Sequence, residues 1–474
     1  MNNLNNITQD WTHADQFLND KIDKNNNSIK HDFGELSNHV NTSLESVENE
    51  VKNVEDSVKK LDEQINHRHK VYGFHINSAN SNPSNAVTYL EDAIGATPAH
   101  MDYANDKFDY GSWKDAFFMP RPCMLKNDGT VAYYLDENDY TKKYDGTDSD
   151  ISNTDFEGNA MMEWGKNGQK IWYKVVPDAD DSTSVSVYIS NFRQDNDYHA
   201  YSFIDKNGEY IDHFYTPIYA GSLVSDKLRS LSGQTLIVNK TASAEINYAK
   251  ANGDGWFTEV FCDVELINYL LILIGKSLNT QTVFGNGNQS GYDTAKENNG
   301  VIKSGNIVYG DTECQLNKKG LFWGSNDTAS GVKVFGMENW WANQWRRFAG
   351  LVNVQGTAKF KLGYADSDGN VSDYNLDGSG YVEAGTLPSN GYVTKMDYSN
   401  GAMIPKVTAG SASTYYCDYY YNNTESTYYA LRCGDCLDGS GCGAFFVVLN
   451  DGAGLAYWAV GAALSCKPPF SGVN

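Results

Sequence analysis

The sequence predicts an α+β protein: an N-terminal helical coiled-coil stalk followed by a β-rich globular domain with long loops. Two observations carry this. Residues 1–70 are polar, Asn-rich and almost free of Gly and Pro, with apolar residues at heptad spacing. From residue 71 onward, Gly, Asn, Asp and aromatics dominate, and short stretches alternate apolar and polar residues as strands do. The chain has 474 residues, 41% hydrophobic, enough for a sizeable core.

The stalk rests on two interleaved rows. Leu44, Val51, Val58 and Ile65 occupy one core position; Val40, Val47, Val54 and Leu61 occupy the other. Glu, Lys, Asp, Ser and Asn flank them, the pattern of a coiled coil. Ile22, Ile29, Phe33 and Leu36 continue it upstream, and the steps Leu36–Val40–Leu44 make a stutter. A stalk of this extent is roughly 65 Å long. β-Branched residues at both positions disfavour dimers, so a homotrimer is expected, against the alternative of an amphipathic helix packed on its own domain. His67, His69 and His75 follow with no companion carboxylate or Cys pattern. They read as the exposed stalk end, not as a metal site.

In the globular domain, 71–474, an N-terminal part (71–235) and a C-terminal part (236–474) are distinguished. Strands are predicted at Lys170–Val176, Ser184–Ser190, Ala358–Tyr364 and Gly443–Asn450, and a hairpin at Ile204–Ile211 turning on Asn207-Gly208. A buried helix is predicted at Asp263–Lys276, whose apolar run is too short to span a bilayer. A second helix is predicted around Met337–Gly350. There Trp341, Trp345 and Phe348 fall at i, i+4, i+7, a core-facing stripe beside Trp340; a sugar-stacking platform is the alternative.

The net charge of −23 argues against non-specific nucleic-acid binding. No secretory signal is visible at the N-terminus and no membrane insertion is expected. Asp366, Asp368, Asn370 and Asp373 resemble the first half of a calcium loop, but Tyr374 stands where the distal Glu belongs. Cys433-Gly-Asp-Cys436 has redox or zinc spacing without the helix or second close pair such sites need. Disulfides or plain surface thiols are expected instead, Cys417–Cys466 being one plausible pair. No nucleophile-elbow, phosphate-loop or zinc-protease motif occurs. No cofactor, metal or catalytic residue is assigned, and the chain is read as a non-enzyme.

The last sixty residues hold five of the eight cysteines and many of the 32 tyrosines among Gly and Ser. That is the composition of evolved recognition surfaces. Two stretches, Val334–Leu351 (VFGMENWWANQWRRFAGL) and Ala430–Pro469, together with Phe117–Asp136, resemble phage tail and receptor-binding proteins. The C-terminal domain of those proteins has the C-type lectin fold, in the subtype shared by formylglycine-generating enzymes and the variable proteins of diversity-generating retroelements. In diversified members, adenine-directed mutation does not yield Trp, Lys, Glu, Gln or Met, and Cys433–Tyr457 contains none of these. An ordinary fixed loop region of low charge is the alternative. The Cys pattern does not match the copper-binding context of the enzyme branch, so the oxidase activity is not carried over.

The resemblance implies a phage virion adhesin, made in the host cytoplasm and exposed outside. It would join other virion proteins through its N-terminus and bind a host-surface glycan or protein through its tract. The binding residues expected are Tyr415, Tyr416, Tyr419, Tyr420, Asp435, Leu437, Asp438, Phe446, Val448, Leu455 and Tyr457. A glycan depolymerase, or a capsid or tail decoration fibre without an obligatory receptor role, are the alternatives.

Overall fold

A computed structural model describes residues 2–66, 69–313, 315–365 and 369–469. The chain falls into two compact units, Met1–Arg68 and His69–Asn474.

The first unit is one helix, α1 (Asn2–Asn66). At 1.5 Å per residue it is roughly 100 Å long. Ile22, Ile29, Phe33, Leu36, Val40, Leu44, Val47, Val51 and Val54 are each at least half exposed, from 50% for Val51 to 72% for Phe33. The side chains of Val58, Leu61 and Ile65, and all of His67, lie outside the described ones. Among the described residues, no helix is long and apolar enough to cross a membrane.

The second unit is mixed α+β, built on three sheets. Val71–Ile76 lies between Val87–Glu91 and Asp181–Ser190 in an all-antiparallel sheet edged by Trp172–Asp178. The expected turn at Asn207-Gly208 forms: Ile204 bridges Tyr210, and Asp205 accepts the Asn207 and Glu209 N–H groups. A second sheet orders Trp256–Thr258, Leu464–Cys466, Phe214–Pro217, Gly158–Trp164, Arg121–Lys126 and Val131–Tyr134. The last described strand of the chain thus sits inside a sheet made mostly by residues 121–217, so the two halves of the sequence share one framework.

The third sheet has nine strands and carries the tract. Its centre is Trp345–Val354, flanked by Thr357–Phe360 and Thr427–Arg432. Beyond Thr427–Arg432 come Val447–Leu449, then Tyr419–Asn422 running parallel to it, then Gly391–Asp397. Val460–Ala462 pairs in parallel with the start of the central strand.

Helix α2 (Ala242–Lys250) is capped by the Thr241 side chain. Helix α3 (Phe261–Gly275) realises the expected apolar helix, with every residue buried. An all-round apolar helix belongs in a core, and its carboxylates and its Asn side chain are all engaged. Asp263 pairs with Lys467 at 2.7 Å, Glu265 accepts the Met403 N–H, and Asn268 joins Trp340 Nε1 to the Ala444 carbonyl.

The helix expected around Met337–Gly350 is not there. Met337–Glu338 is a short strand, a loop follows, and Trp345 starts the central strand. Asn339, Ala342 and Asn343 take positive φ, and the Asn343 side chain accepts the Ile302 N–H while its own amide donates to the Ile302 carbonyl. Asn enters the left-handed region at small cost because its side chain bonds locally. Burial of the aromatic stripe survives the change of backbone. Trp340, Trp341 and Phe348 are at most 1% exposed, so they are core and not a sugar platform; only Trp345 reaches the surface.

Seven cysteines are described, all free and buried. The expected Cys417–Cys466 pair does not form: Cys466 lies in the second sheet beside Tyr215 and Trp256, and Cys417 lies in the third sheet's loop just before the strand Tyr419–Asn422. Of the calcium-like loop, Asp366 and Asp368 lie outside the described residues and Asn370 and Asp373 are exposed. No group of three metal-ligating side chains occurs among the described residues.

Candidate functional site

The tract is held from below by buried charge. Arg432 donates to both oxygens of Glu259, at 3.0 and 3.4 Å, and to the Trp340 carbonyl, with its guanidinium 3.6 Å from the Trp340 ring centre. Arg346 lies 3.6 Å from Glu259 and donates to the Asn339 carbonyl. Burial alone would raise Glu259, but Arg346 and Arg432 outweigh it and hold the carboxyl below its ordinary range. Arg347 pairs with Glu245 at 2.8 Å and donates to the Lys240 and Leu455 carbonyls. These three arginines fix the loop at 339–344, the strand end at Arg432 and the loop at 450–459 against one another. A second close approach sits under Phe445: Asp418 accepts its N–H at 2.7 Å, and a Cβ on Gly443 would fall 1.9 Å from Asp418 Oδ1.

Above this base, Cys433–Asp438 forms a tight loop. Cys433 and Gly434 take positive φ. The Cys433 carbonyl accepts the Ala342 N–H and the Cys436 carbonyl accepts the Tyr292 N–H, each bond tying the loop to a different neighbour. Asp435 accepts the Leu437 N–H, and Asp438 accepts both the Asp435 N–H and Trp345 Nε1–H, the latter at 2.5 Å. Burial, and next the neighbouring Asp438 charge, raise the Asp435 carboxyl to about 7; burial also raises Asp438. Burial and the nearby Asp435 charge push the Cys436 thiol up to about 12, and Cys442 is pushed well above its usual value. Protonated, buried thiols are poor nucleophiles and poor metal ligands.

Aromatic side chains surround this loop in two connected groups. Tyr392 meets Tyr419 edge-on at 5.0 Å, Tyr419 lies 4.8 Å from Tyr421, and Tyr421 meets Phe446 edge-on at 5.9 Å. Trp345, Tyr419, Tyr421 and Leu455 all lean, half-buried, on the buried cluster Leu431, Phe446, Val448 and Val460. On the other side of the loop, Trp458 touches Tyr292 at 5.6 Å and Tyr457 at 5.7 Å, and it packs on Cys436. Leu437 is 59% exposed and Tyr457 42% exposed.

The expected binding residues therefore divide. Leu437, Asp438, Tyr419, Leu455 and Tyr457 reach the surface of this face. Tyr416, Tyr420, Asp435, Phe446 and Val448 are at most 3% exposed and support it from within. Tyr416 spends its hydroxyl on Tyr398 at 2.6 Å, and the Tyr415 N–H donates to the Ser81 carbonyl, outside the ring contacts of this face. The correction has a simple cause. Side chains alternate along a strand, so Tyr419 and Tyr421 lie on this face while Tyr420 points into the main core; Val448, the register partner of Tyr421, lies beneath the aromatics of the face, and Val447, the partner of Tyr420, packs on the main core. That alternation was a usable signal for Tyr421. Tyr292, Trp345, Tyr392 and Trp458 join the face only through tertiary contacts.

No protein-family model matches the chain, and no curated protein matches it either.

Proposed function

We propose that the chain is a phage virion adhesin: a homotrimeric coiled-coil stalk presenting heads of C-type lectin type, each of which binds a host-surface receptor through the face around Leu437 and Asp438. The observation that carries the reading is the contrast within the tract. Exposed Leu437 and Tyr457 and half-buried Trp and Tyr side chains stand on a base held by buried Arg–Glu pairs. Rigid aromatic anchors give contact area at low entropic cost, and a fixed base lets surface identities vary without unfolding the head. The apolar rows of α1, exposed in a single chain, supply the reason to trimerise. Several copies on one virion then raise avidity through effective concentration.

If the tract is diversified, the positions free to vary are Leu437 and Tyr457, the exposed large side chains of this face. Phe446 and Val448 tolerate only apolar replacements of similar volume. A neighbouring reverse transcriptase with an adenine-rich copy of the tract would establish the diversification.

The test is adsorption. Purified full-length protein is expected to compete with virions for host cells, and Leu437→Asp is expected to abolish competition. Shortened chains after incubation with host envelope polysaccharide would replace the adhesin reading with a depolymerase. Unchanged adsorption after deletion of the head would replace it with a decoration fibre.

A further inference from the structure

One cleft of the head is remote in sequence from the tract. It encloses about 1120 Å³ and is lined by Lys107, Lys114, Arg121, Tyr134, Tyr144 and Glu163, among others. Arg121 opens the strand Arg121–Lys126, and Tyr134 ends the strand paired with it. The Arg121 guanidinium lies 3.4 Å from the Tyr134 ring centre and 6.0 Å from that of Tyr144. Tyr144 is fixed by its N–H to the Tyr134 carbonyl, yet its side chain is 75% exposed.

The acid opposite Arg121 in the ladder is Glu163, and it is engaged elsewhere. Its oxygens accept Tyr134 Oη–H at 3.0 Å and Tyr215 Oη–H at 3.1 Å. Among the described residues, no acceptor takes a hydrogen bond from the Arg121 guanidinium, and Lys107, Lys114 and Lys166 on the same walls form no ion pair. Asp102 and Asp109 bind turn N–H groups at Ala104 and Gly111 but keep further lone pairs. The buried Nδ1 of His213, which also lines the cleft, has no partner among the described residues.

A planar guanidinium stacked on the Tyr134 face, with no acceptor on its N–H edge among the described residues, is preorganised to take a carboxylate by two parallel N–H···O bonds. The exposed Tyr144 face suits the C–H side of a pyranose, and the remaining carboxylates suit its hydroxyls. A free inorganic anion would use only the first of these features. We propose that this cleft binds an acidic saccharide, a chain of carboxylate-bearing sugars, with Arg121, braced by Tyr134, receiving the carboxylate and Tyr144 receiving a sugar ring. The site is independent of the adhesin face, so failure of cell adsorption leaves it standing and its own failure leaves the adhesin reading standing.

Calorimetric titration of the full chain with a tetramer of galacturonic acid and with a neutral tetrasaccharide tests it. The acidic tetramer is expected to bind at least about tenfold more tightly, the scale of one well-made charged contact. Arg121→Lys, which keeps the charge and loses the fork, is expected to weaken it about tenfold, and Tyr144→Ala, at an exposed position, several-fold. Equal affinity for the two tetramers, no binding of either, or unchanged binding by both variants overturns the proposal.

Discussion

Phe446 and Leu437 are nine residues apart in the tract, and the structure assigns them opposite roles. Phe446 is 0% exposed and packs on Leu431, Val448 and Val460, each at most 1% exposed, with Tyr421 edge-on against its ring. Phe446→Ala removes the ring's burial and leaves a cavity that a sheet interior closes poorly, a loss of ~3–5 kcal/mol. A folded domain commonly has only ~5–15 kcal/mol in hand, so this is a large fraction. Leu437 is 59% exposed, and Leu437→Asp is expected to change stability by no more than ~0.5 kcal/mol while removing adsorption. Urea titration followed by tryptophan fluorescence reads stability, and competition with virions reads binding, on the same preparations. A Phe446→Ala protein with an unshifted urea midpoint and lost adsorption would refute the placement of Phe446 in the core, and with it the whole division of the tract.

Asp435 supplies a pH dependence. Its carboxyl titrates near 4 when unfolded and at about 7 in the fold, raised first by burial and then by Asp438. Between these values the native state holds a proton that the unfolded chain has released, so this contribution is complete below about pH 4 and lost as pH rises to about 7. Asp435→Asn, which keeps the acceptor for the Leu437 N–H, is expected to flatten the fall of the urea midpoint over that window; identical profiles would refute it. Glu245, raised to about 7 by burial against the pull of Arg347, adds to the same slope and keeps it from vanishing. The full-length protein is expected to sediment as a trimer at micromolar concentration, and Val47→Asp with Val51→Asp to sediment as a monomer; a monomeric parent would sink the stalk argument. The seven described thiols are expected to resist an aromatic disulfide reagent in the native state and to react once denatured. Fast reaction of Cys436 in the folded protein would contradict its burial.

How much was legible depends on whether a pattern has one structural solution. The α3 run from Val264 to Ile274 is apolar on every face, and a buried helix is the arrangement that satisfies both its backbone and its side chains. The Trp341, Trp345, Phe348 stripe has two solutions. A helix would place those rings on one face; a loop leading into a strand buries Trp341 and Phe348 equally well. The second prevailed because Arg346 and Arg347 needed Glu259 and Glu245, residues about ninety to a hundred positions away, as partners. No local spacing announces such a partner.

The sequence by itself determined the α+β class, the long N-terminal helix, the hairpin at Asn207-Gly208 and the recognition-like composition of the last sixty residues, because propensity and periodicity are local properties. Tertiary structure alone decided which tract side chains meet solvent. It also decided that the seven described cysteines stay apart as buried thiols, and that Arg121 is left on the Tyr134 ring while Glu163 takes the Tyr134 and Tyr215 hydroxyls. Those outcomes depend on which strands become neighbours, and in this head the neighbours come from opposite ends of the chain, as Leu464–Cys466 beside Phe214–Pro217 shows.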